Sequence, residues 1–447
     1  MSVGRWQQPC LDNCQCGRVH AAEAAMPDVW LGHSVLGQLR HITKEHIGDA
    51  VCVVADENTA AITRQAEEVL AETVKVRYIY PGQLRAEEAV VQQVQRAARQ
   101  TDGLVSVGSG CITDVTRLAA FRMGKPFVAV ATAASMDGYL SGHSPIIVNG
   151  YKLTCPAQPP RAMVADTQVL AEAPRRLTQA GLGDVLGKFT SLADWRLGHV
   201  MTGEYWCAAL SKSVYEAVDS CRSSALRAEG AEASLVEATM RALLITGHAM
   251  VCAGNSRPAS GGEHHISHYW EMQALARGEE GHLHGEHVAV GTVLLAAVYH
   301  AMMARERLAA SAEQWHLRLD HLSDRRARQQ RLEKGYGPAA ESVGAETQGK
   351  DTRALGALSH AEAEARWTCS RRVLAHAVPK PAEIIRLLRV QGLAATPHEL
   401  GIAPEDTEKA LLYARELRNR FGILDAAAAA GCLEELARTI ALASVSW

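Results

Sequence analysis

The feature that most constrains this chain is a change of periodicity near residue 173, where short apolar runs alternating with amphipathic stretches give way to successive helical segments. In the first part, Asp49-Ala-Val-Cys-Val-Val-Ala55 reads as a buried strand ending at Asp56-Glu57-Asn58-Thr59, with a helix from about Ala60 to Glu72. A strand at Val74–Tyr80, a helix at Arg85–Arg99 and a strand at Gly103–Val107 follow, the last running into Gly108-Ser109-Gly110. Pro126–Thr132 is a further strand, ending in Ala133-Ala134-Ser135-Met136-Asp137-Gly138. Strands separated by helical stretches pair in parallel, because a parallel connection needs a crossover and a helix supplies one.

From about Ala173 the small-residue faces and sparse β-branched alternation predict helices only. Val288–Tyr299 reads as a buried helix. Thr396-Pro397-His398-Glu399 combines an N-cap threonine, a proline at the first helical position and a capping-box glutamate, and Pro404-Glu405-Asp406 opens another helix. The expected architecture is an α/β Rossmann-like nucleotide-binding domain followed by an all-α domain. Residues 1–25 are expected to be a mobile leader, 26–172 the α/β domain and 173–447 the all-α domain, to which the segments described below give dinucleotide-binding and metal- and substrate-binding roles respectively.

A length of 447 residues suits two cores. Lys and Arg number 46 against 49 Asp and Glu, a net charge of -3, so no global basic field exists for nucleic acid or an anionic membrane. A small molecule is the expected partner. No uninterrupted apolar run approaches the ~18 residues of a spanning helix, and the first residues lack a basic-then-apolar signal pattern. With 11 cysteines, an odd count, the expectation is a cytoplasmic protein with thiols rather than a disulfide framework. Cys10, Cys14, Cys16 and His20 could bind zinc, but their spacing is not C-x-x-C and no second close cysteine pair follows, which favours the leader reading. The charged run Asp324–Arg331 reads as a solvated helix face.

Gly108-Ser-Gly-Cys-Ile-Thr-Asp114 follows a strand and opens a helix, so its amides could cradle a pyrophosphate. Thr113 stands where the third glycine of G-x-G-x-x-G belongs, and the tight-turn reading has equal weight on this local pattern. Asp56, at a strand end, suits either a ribose contact or a helix cap.

Three segments join small residues to metal-ligand types: Gly181-Leu-Gly-Asp184-Val-Leu-Gly-Lys188, Gly261-Gly-Glu-His264-His265-Ile-Ser-His268 and His282-Leu-His284-Gly-Glu286-His287. A carboxylate with two imidazoles suits a divalent ion that keeps open positions. His264 and His268 lie four apart, on one helical face, so one can ligate while the other meets substrate. A zinc hydrolase of the H-E-x-x-H type is disfavoured, since His265 replaces the glutamate that would act as base.

In order and spacing these segments resemble the superfamily of dehydroquinate synthase, glycerol dehydrogenase and the iron-containing alcohol dehydrogenases, and most closely the bacterial branch of the sn-glycerol-1-phosphate dehydrogenases. Further matching strings are Thr132-Ala-Ala-Ser-Met-Asp-Gly138, Ala165-Asp-Thr167, Thr190-Ser-Leu-Ala-Asp-Trp195 and Ser256-Arg-Pro-Ala-Ser-Gly-Gly-Glu-His-His-Ile-Ser-His268, with a fainter one at Arg418-Asn-Arg-Phe-Gly-Ile-Leu424.

The resemblance implies that Asp56, Gly110, Cys111, Ile112, Thr113, Asp114, Thr132, Ala133, Ala134, Ser135 and Ser141 contact NAD or NADP. It implies substrate contacts from Asp137, Asp184 and His268. It implies Asp184, His264 and His284 as ligands of one divalent metal: nickel as in the bacterial branch, zinc as in archaeal relatives, or iron. Lys152, Lys188 and Arg257 are candidates for the substrate phosphate. Gly262 departs from the family's more frequent serine, and His265 and His287 are rival ligands. The implied reaction is reversible reduction of dihydroxyacetone phosphate to sn-glycerol 1-phosphate for glycerophospholipid or ether-lipid synthesis, in a homodimer, with His268 and Asp184 as the catalytic pair. A sugar-phosphate cyclase of the dehydroquinate synthase type, another metal-dependent polyol dehydrogenase and a non-enzymatic sensor are the alternatives. The cyclases typically show Glu at the first ligand position, and a sensor need not retain a complete site.

Overall fold

Runs of Val and Ala between turn residues bury both faces of a strand, and such runs form the sheet of this protein. The computed structural model describes residues 5–6, 14–18, 20, 26–82, 84–148, 151–227, 232–279, 281–350 and 355–447. Cys10 lies outside them. Two compact units emerge: Met1–Val185 with Lys212–Asn255, and Leu186–Ser211 with Ser256–Trp447. They interleave along the chain, whereas the sequence suggests one boundary after residue 172.

In the first unit the strands are β1 (Asp28–Gly32), β2 (Val51–Asp56), β3 (Val74–Tyr80), β4 (Gly103–Gly108), β5 (Phe127–Ala131), β6 (His143–Val148), β7 (Tyr151–Pro156) and β8 (Ala162–Asp166). Helices α1 (Leu39–His46), α2 (Ala60–Leu70), α3 (Glu88–Ala97), α4 (Gly110–Arg122) and α5 (Thr167–Glu172) alternate with them. Six strands pair in the order β1-β8-β5-β4-β2-β3, all parallel, and β6 and β7 form a separate antiparallel hairpin. β2, β4, β5 and β8 are buried along their whole length, while the edge strand β3 alternates, with Lys75 and Arg77 exposed. Charged side chains on an edge discourage pairing with another chain. Leu39 and Ile42 of α1 pack with Val51, Val53, Val105 and Val128 to make the core on one face.

The chain leaves β2 for the edge strand β3 and then crosses back to β4 on the other side of β2. This reversal makes a crevice at the carboxyl ends of β2 and β4, where doubly wound sheets bind ligands. Asp56 ends β2 and Gly108 ends β4, so both sit at the reversal.

Next come α6 (Arg175–Leu186), α7 (Lys188–Thr202), α8 (Ala208–Ala225), α9 (Glu232–Ala253), α10 (Gly262–Arg277) and α11 (His284–Met303). Among the described residues the second unit is helical throughout, including Pro404–Tyr413 and Ile423–Ala429. α9 and α11 are long and apolar enough to cross a membrane by length and composition, yet 61% and 72% of their apolar windows are buried inside the structure.

The expected capping box at Thr396 forms: Glu399 N–H donates to Thr396 Oγ1 at 3.2 Å and Thr396 N–H to Glu399 Oε2 at 3.2 Å. It caps only the 3-10 turn His398–Leu400, because Gly401 adopts φ +69° and ends the turn.

Candidate active site

In the first unit β4 stops at Gly108, and the first intrahelical bond of α4 runs from Thr113 N–H to Ser109 C=O. The amides of Gly110, Cys111 and Ile112 therefore precede the helical ladder, at the end where a helix favours an anion. Of the run implied to meet the cofactor, Cys111 is exposed, while Ile112, Thr113 and Asp114 are buried. Any contact from those three is through the backbone or through their effect on the turn.

Asp114 is paired with Arg117, its Oδ1 2.5 Å from Nη1. Arg117 is fully buried and also donates from Nη2 to the carbonyls of Gly138 at 2.6 Å and Tyr139 at 2.9 Å. This guanidinium thus ties α4 to the turn that carries Asp137. Asp56 serves as a cap: its Oδ1 accepts from Asn58 N–H at 3.0 Å and Thr59 N–H at 3.2 Å. Ser141 Oγ accepts from His143 N–H at 3.0 Å.

Thr132, Ala133 and Ala134 are buried beyond β5, with Ser135 and Asp137 half-buried. α6 presses Gly181 onto this loop, and a Cβ there would lie 1.8 Å from the Ala134 carbonyl oxygen. Backbone cannot swing aside as a side chain can. Gly181→Ala is therefore expected to lower stability by roughly 1–3 kcal/mol, typical of overpacking, read from urea denaturation. An unchanged midpoint would show that the loop is not clamped. Near the end of α6, Asp184 is buried, and its Oδ2 accepts from Asp137 N–H at 3.0 Å.

In the second unit a glycine again sets the approach of two elements: a Cβ on Gly291 of α11 would lie 2.7 Å from the Glu263 carbonyl oxygen of α10. Close packing of α10 on α11 brings the His284 ring within 5.2 Å of both His264 and His268, centroid to centroid. His264 Nδ1 lies 2.8 Å from Glu263 Oε1, and His284 Nδ1 lies 2.7 Å from Glu271 Oε1. With Nδ1–H donated to a carboxylate, each ring keeps its Nε2 lone pair for an electrophile, the pattern of metal-ligating imidazoles. His268 Nδ1 is 3.4 Å from Glu271 Oε2, so one carboxylate orients two histidines.

Glu263 is itself buried, and burial would raise its pKa. The hydrogen bond and charge of His264, with Thr190 and the Gly261 amide, instead hold it below the usual glutamate range. Beneath it Asp194 accepts from Gly262 N–H at 2.8 Å, Tyr299 O–H at 2.6 Å and Ile423 N–H at 2.8 Å, and burial pushes its pKa up to about 6. The sequence pattern assigns no role to Glu263, Glu271, Asp194 or Tyr299. The one local signal was Glu271 at i+3 from His268.

The rival histidines are placed differently. His265 is buried, and its pKa is lowered well below the usual value by burial and by Arg420, Lys350 and Arg418. His287 packs against Trp270 and His282, and burial lowers it to about 4. Arg257 is buried, 2.5 Å from Glu204 Oε1 and 2.7 Å from the Phe421 carbonyl, contacts that serve the fold of this unit. Lys188 is fully buried.

A doubly wound parallel sheet, with a helical unit that presents carboxylate-held histidines, defines the class of the iron-containing alcohol dehydrogenases. The family model described as iron-containing alcohol dehydrogenase matches residues 30–174. The glycerol-1-phosphate dehydrogenase [NAD(P)+] of Halalkalibacterium halodurans is 37% identical over 297 residues, 64% of this chain and 73% of that protein. The same-named protein of Geobacillus stearothermophilus is 32% identical over 429 residues, 92% and 94% of the two chains. The chain belongs to the glycerol-1-phosphate dehydrogenase family. Among solved structures, a probable glycerol dehydrogenase from Sinorhizobium meliloti superposes with TM-score 0.58 at 18% identity, covering 94% of this chain and all of that one. Glycerol dehydrogenase from Schizosaccharomyces pombe gives 0.55 at 14%, covering 96% and 94%. At these identities the likeness shows the fold.

Proposed function

We propose that the chain catalyses the reversible, NAD(P)H-dependent reduction of dihydroxyacetone phosphate to sn-glycerol 1-phosphate, the glycerol backbone of a phospholipid, with Asp184, His264 and His284 holding one nickel or zinc ion. The observation that carries the metal reading is the pairing of His264 and His284 at 5.2 Å, each with its Nδ1 against a buried or half-buried carboxylate. When bound by Asp184, His264 and His284, a divalent ion would polarise the ketone as a Lewis acid, and a bound nicotinamide would supply the hydride for the central carbon.

The protein's own part is orientation and the proton. His268, oriented by Glu271, holds a proton at Nε2 for the oxygen that becomes the alcohol, and its 30% exposed side chain can exchange that proton with water. The amides opening α4 would receive the pyrophosphate of the bound cofactor. The buried Arg117 fixes the turn on which Asp137 meets the substrate. The working protein is a cytoplasmic homodimer in this reading. Light scattering that returns a fully active monomer would remove the dimer from it.

The test is purified protein with dihydroxyacetone phosphate, NADH or NADPH, and nickel, zinc or iron, followed by cofactor absorbance and chiral analysis of the product. Turnover to the sn-1 isomer is expected. No turnover with any metal, or the sn-3 isomer, would refute the reading. Asp56 at the crevice should disfavour a 2′-phosphate, so NADH is expected to serve at least as well as NADPH. A strong NADPH preference that survives Asp56→Asn would show that Asp56 does not set the choice.

A further inference from the structure

The string Cys14-Gln15-Cys16-Gly17-Arg18-Val19-His20 belongs to none of the chemistry above. Gly17 adopts φ +78°, a left-handed conformation that turns the chain directly after the second cysteine. Cys14, Cys16 and His20 converge, their ligand atoms within 4.8 Å of one another, and all three residues are half-buried. Cys16 Sγ is 3.3 Å from His20 Nε2. In a tetrahedral zinc shell, with bonds of about 2.3 Å to sulfur and about 2.0 Å to nitrogen, neighbouring ligand atoms stand about 3.5–3.8 Å apart. The observed cluster needs little adjustment to reach that shape.

A thiol hydrogen bond to an imidazole would account for Cys16 beside His20. It gives no reason for the sulfur of Cys14 to meet the same point. The second nitrogen of His20 adds an independent indication: Nδ1 lies 3.3 Å from the carbonyl oxygen of Cys252 near the end of α9. Donation of Nδ1–H to that carbonyl fixes the tautomer and aims the Nε2 lone pair at the sulfurs, the second-shell arrangement of a ligating histidine. Two further described residues of the segment, Arg5 and Trp6, also contact the first unit. Trp6 N–H donates to the Val29 carbonyl at 2.8 Å, Arg5 pairs with Asp28 at 2.9 Å, and the Trp6 ring meets His248 of α9 edge-on at 6.3 Å.

We propose that Cys14, Cys16 and His20 bind a structural zinc ion, separate from the metal centre of the proposed reaction, that fastens the N-terminal segment to α9. Two thiolates neutralise the charge of the ion, and soft sulfur ligands select zinc over magnesium or calcium. A further thiolate or a water completes the tetrahedron. The sequence suggested a mobile leader because C-x-C is not the usual pair spacing. Gly17 turns the chain directly after Cys16, and His20 Nε2 lies 3.3 Å from the Cys16 sulfur.

The proposal is tested on the full-length protein loaded with cobalt(II). A thiolate-to-cobalt charge-transfer band in the near ultraviolet is expected in the native protein and in Cys369→Ser, a thiol control in the helix His360–Leu374. The Cys14→Ser/Cys16→Ser variant should lose the band and bind one equivalent less cobalt. His20→Cys should keep the ion and intensify the band, an arm that stays readable if the double variant does not fold. Carboxylate and imidazole ligands give no such band, so the result is independent of the proposed catalytic centre. X-ray absorption of the zinc protein should show at least two sulfurs around zinc. A native protein without the band, an undiminished band in the double variant, or zinc with nitrogen and oxygen neighbours only would overturn the proposal.

Discussion

His264→Ala is expected to lose bound metal and turnover together, while His268→Ala keeps its metal and loses about 10²–10⁴-fold in turnover, the usual worth of a general acid. Both rings lie beside His284, at 5.2 Å, so proximity alone does not separate them. Their partners do. His264 is buried and backed by Glu263, which is fully buried and held ionised, an arrangement that raises the basicity of a ligand. His268 has a 30% exposed side chain and a longer contact to Glu271, at 3.4 Å, which suits a group that must gain and lose a proton. Removing one of three protein ligands removes much of a site's affinity.

Metal analysis beside steady-state rates decides the assignment. A metal-replete, active His264→Ala protein would exclude His264 as a ligand, and a metal-free His268→Ala protein would exclude the proposed division of labour. His265 is a poor substitute, because burial, reinforced by the charges of Arg420, Lys350 and Arg418, already disfavours positive charge there. His287, packed against Trp270 at 5.6 Å, is an aromatic neighbour of the core rather than a member of the triad of rings.

Arg117→Met is expected to destabilise the protein by about 3–5 kcal/mol, the cost of leaving a buried charge without its partner. The guanidinium is fully buried, lies 2.5 Å from Asp114 Oδ1, and satisfies the carbonyls of Gly138, Tyr139 and, at 3.3 Å, His143. Methionine fills most of the volume but satisfies none of these acceptors. Burial lowers the pKa of Arg117 and Asp114 opposes that shift, so each group supports the charge of the other. The double variant Arg117→Met/Asp114→Leu should accordingly be less destabilised than Arg117→Met alone, since no orphaned carboxylate remains. Urea midpoints for the two single variants and the double variant supply the cycle. Additive losses would show that the two groups act separately.

The sequence by itself determined four of the eight strands, β2 to β5, and which residue types could hold a metal, but it did not mark β1, β6, β7 or β8. β3 was legible to the residue because an edge strand alternates, and β2, β4 and β5 because Val and Ala runs end at turn residues. The turn at Gly108 was legible for the same local reason, as was the helix around Val288. What it left open was pairing. β1 and β8 lie side by side at one flank of the sheet although about 130 residues of chain separate them, and five-residue apolar runs carry no label for their partners. Thr396 presents a complete capping box, yet the helix it announces stops after one turn at Gly401.

The same limit applies to the histidines. Six of them between His264 and His287 are chemically alike in the sequence, and none carries a sign of which will be buried, paired or wet. Packing decides: Gly291 admits the backbone of α10, which sets His264 and His268 beside His284 and seats His265 among basic side chains. Glu263, Glu271 and Asp194 acquire their roles only there. Their partners lie up to 229 residues away along the chain, as with Asp194 and Ile423, and local composition cannot encode a hydrogen bond that exists only once the helices have packed.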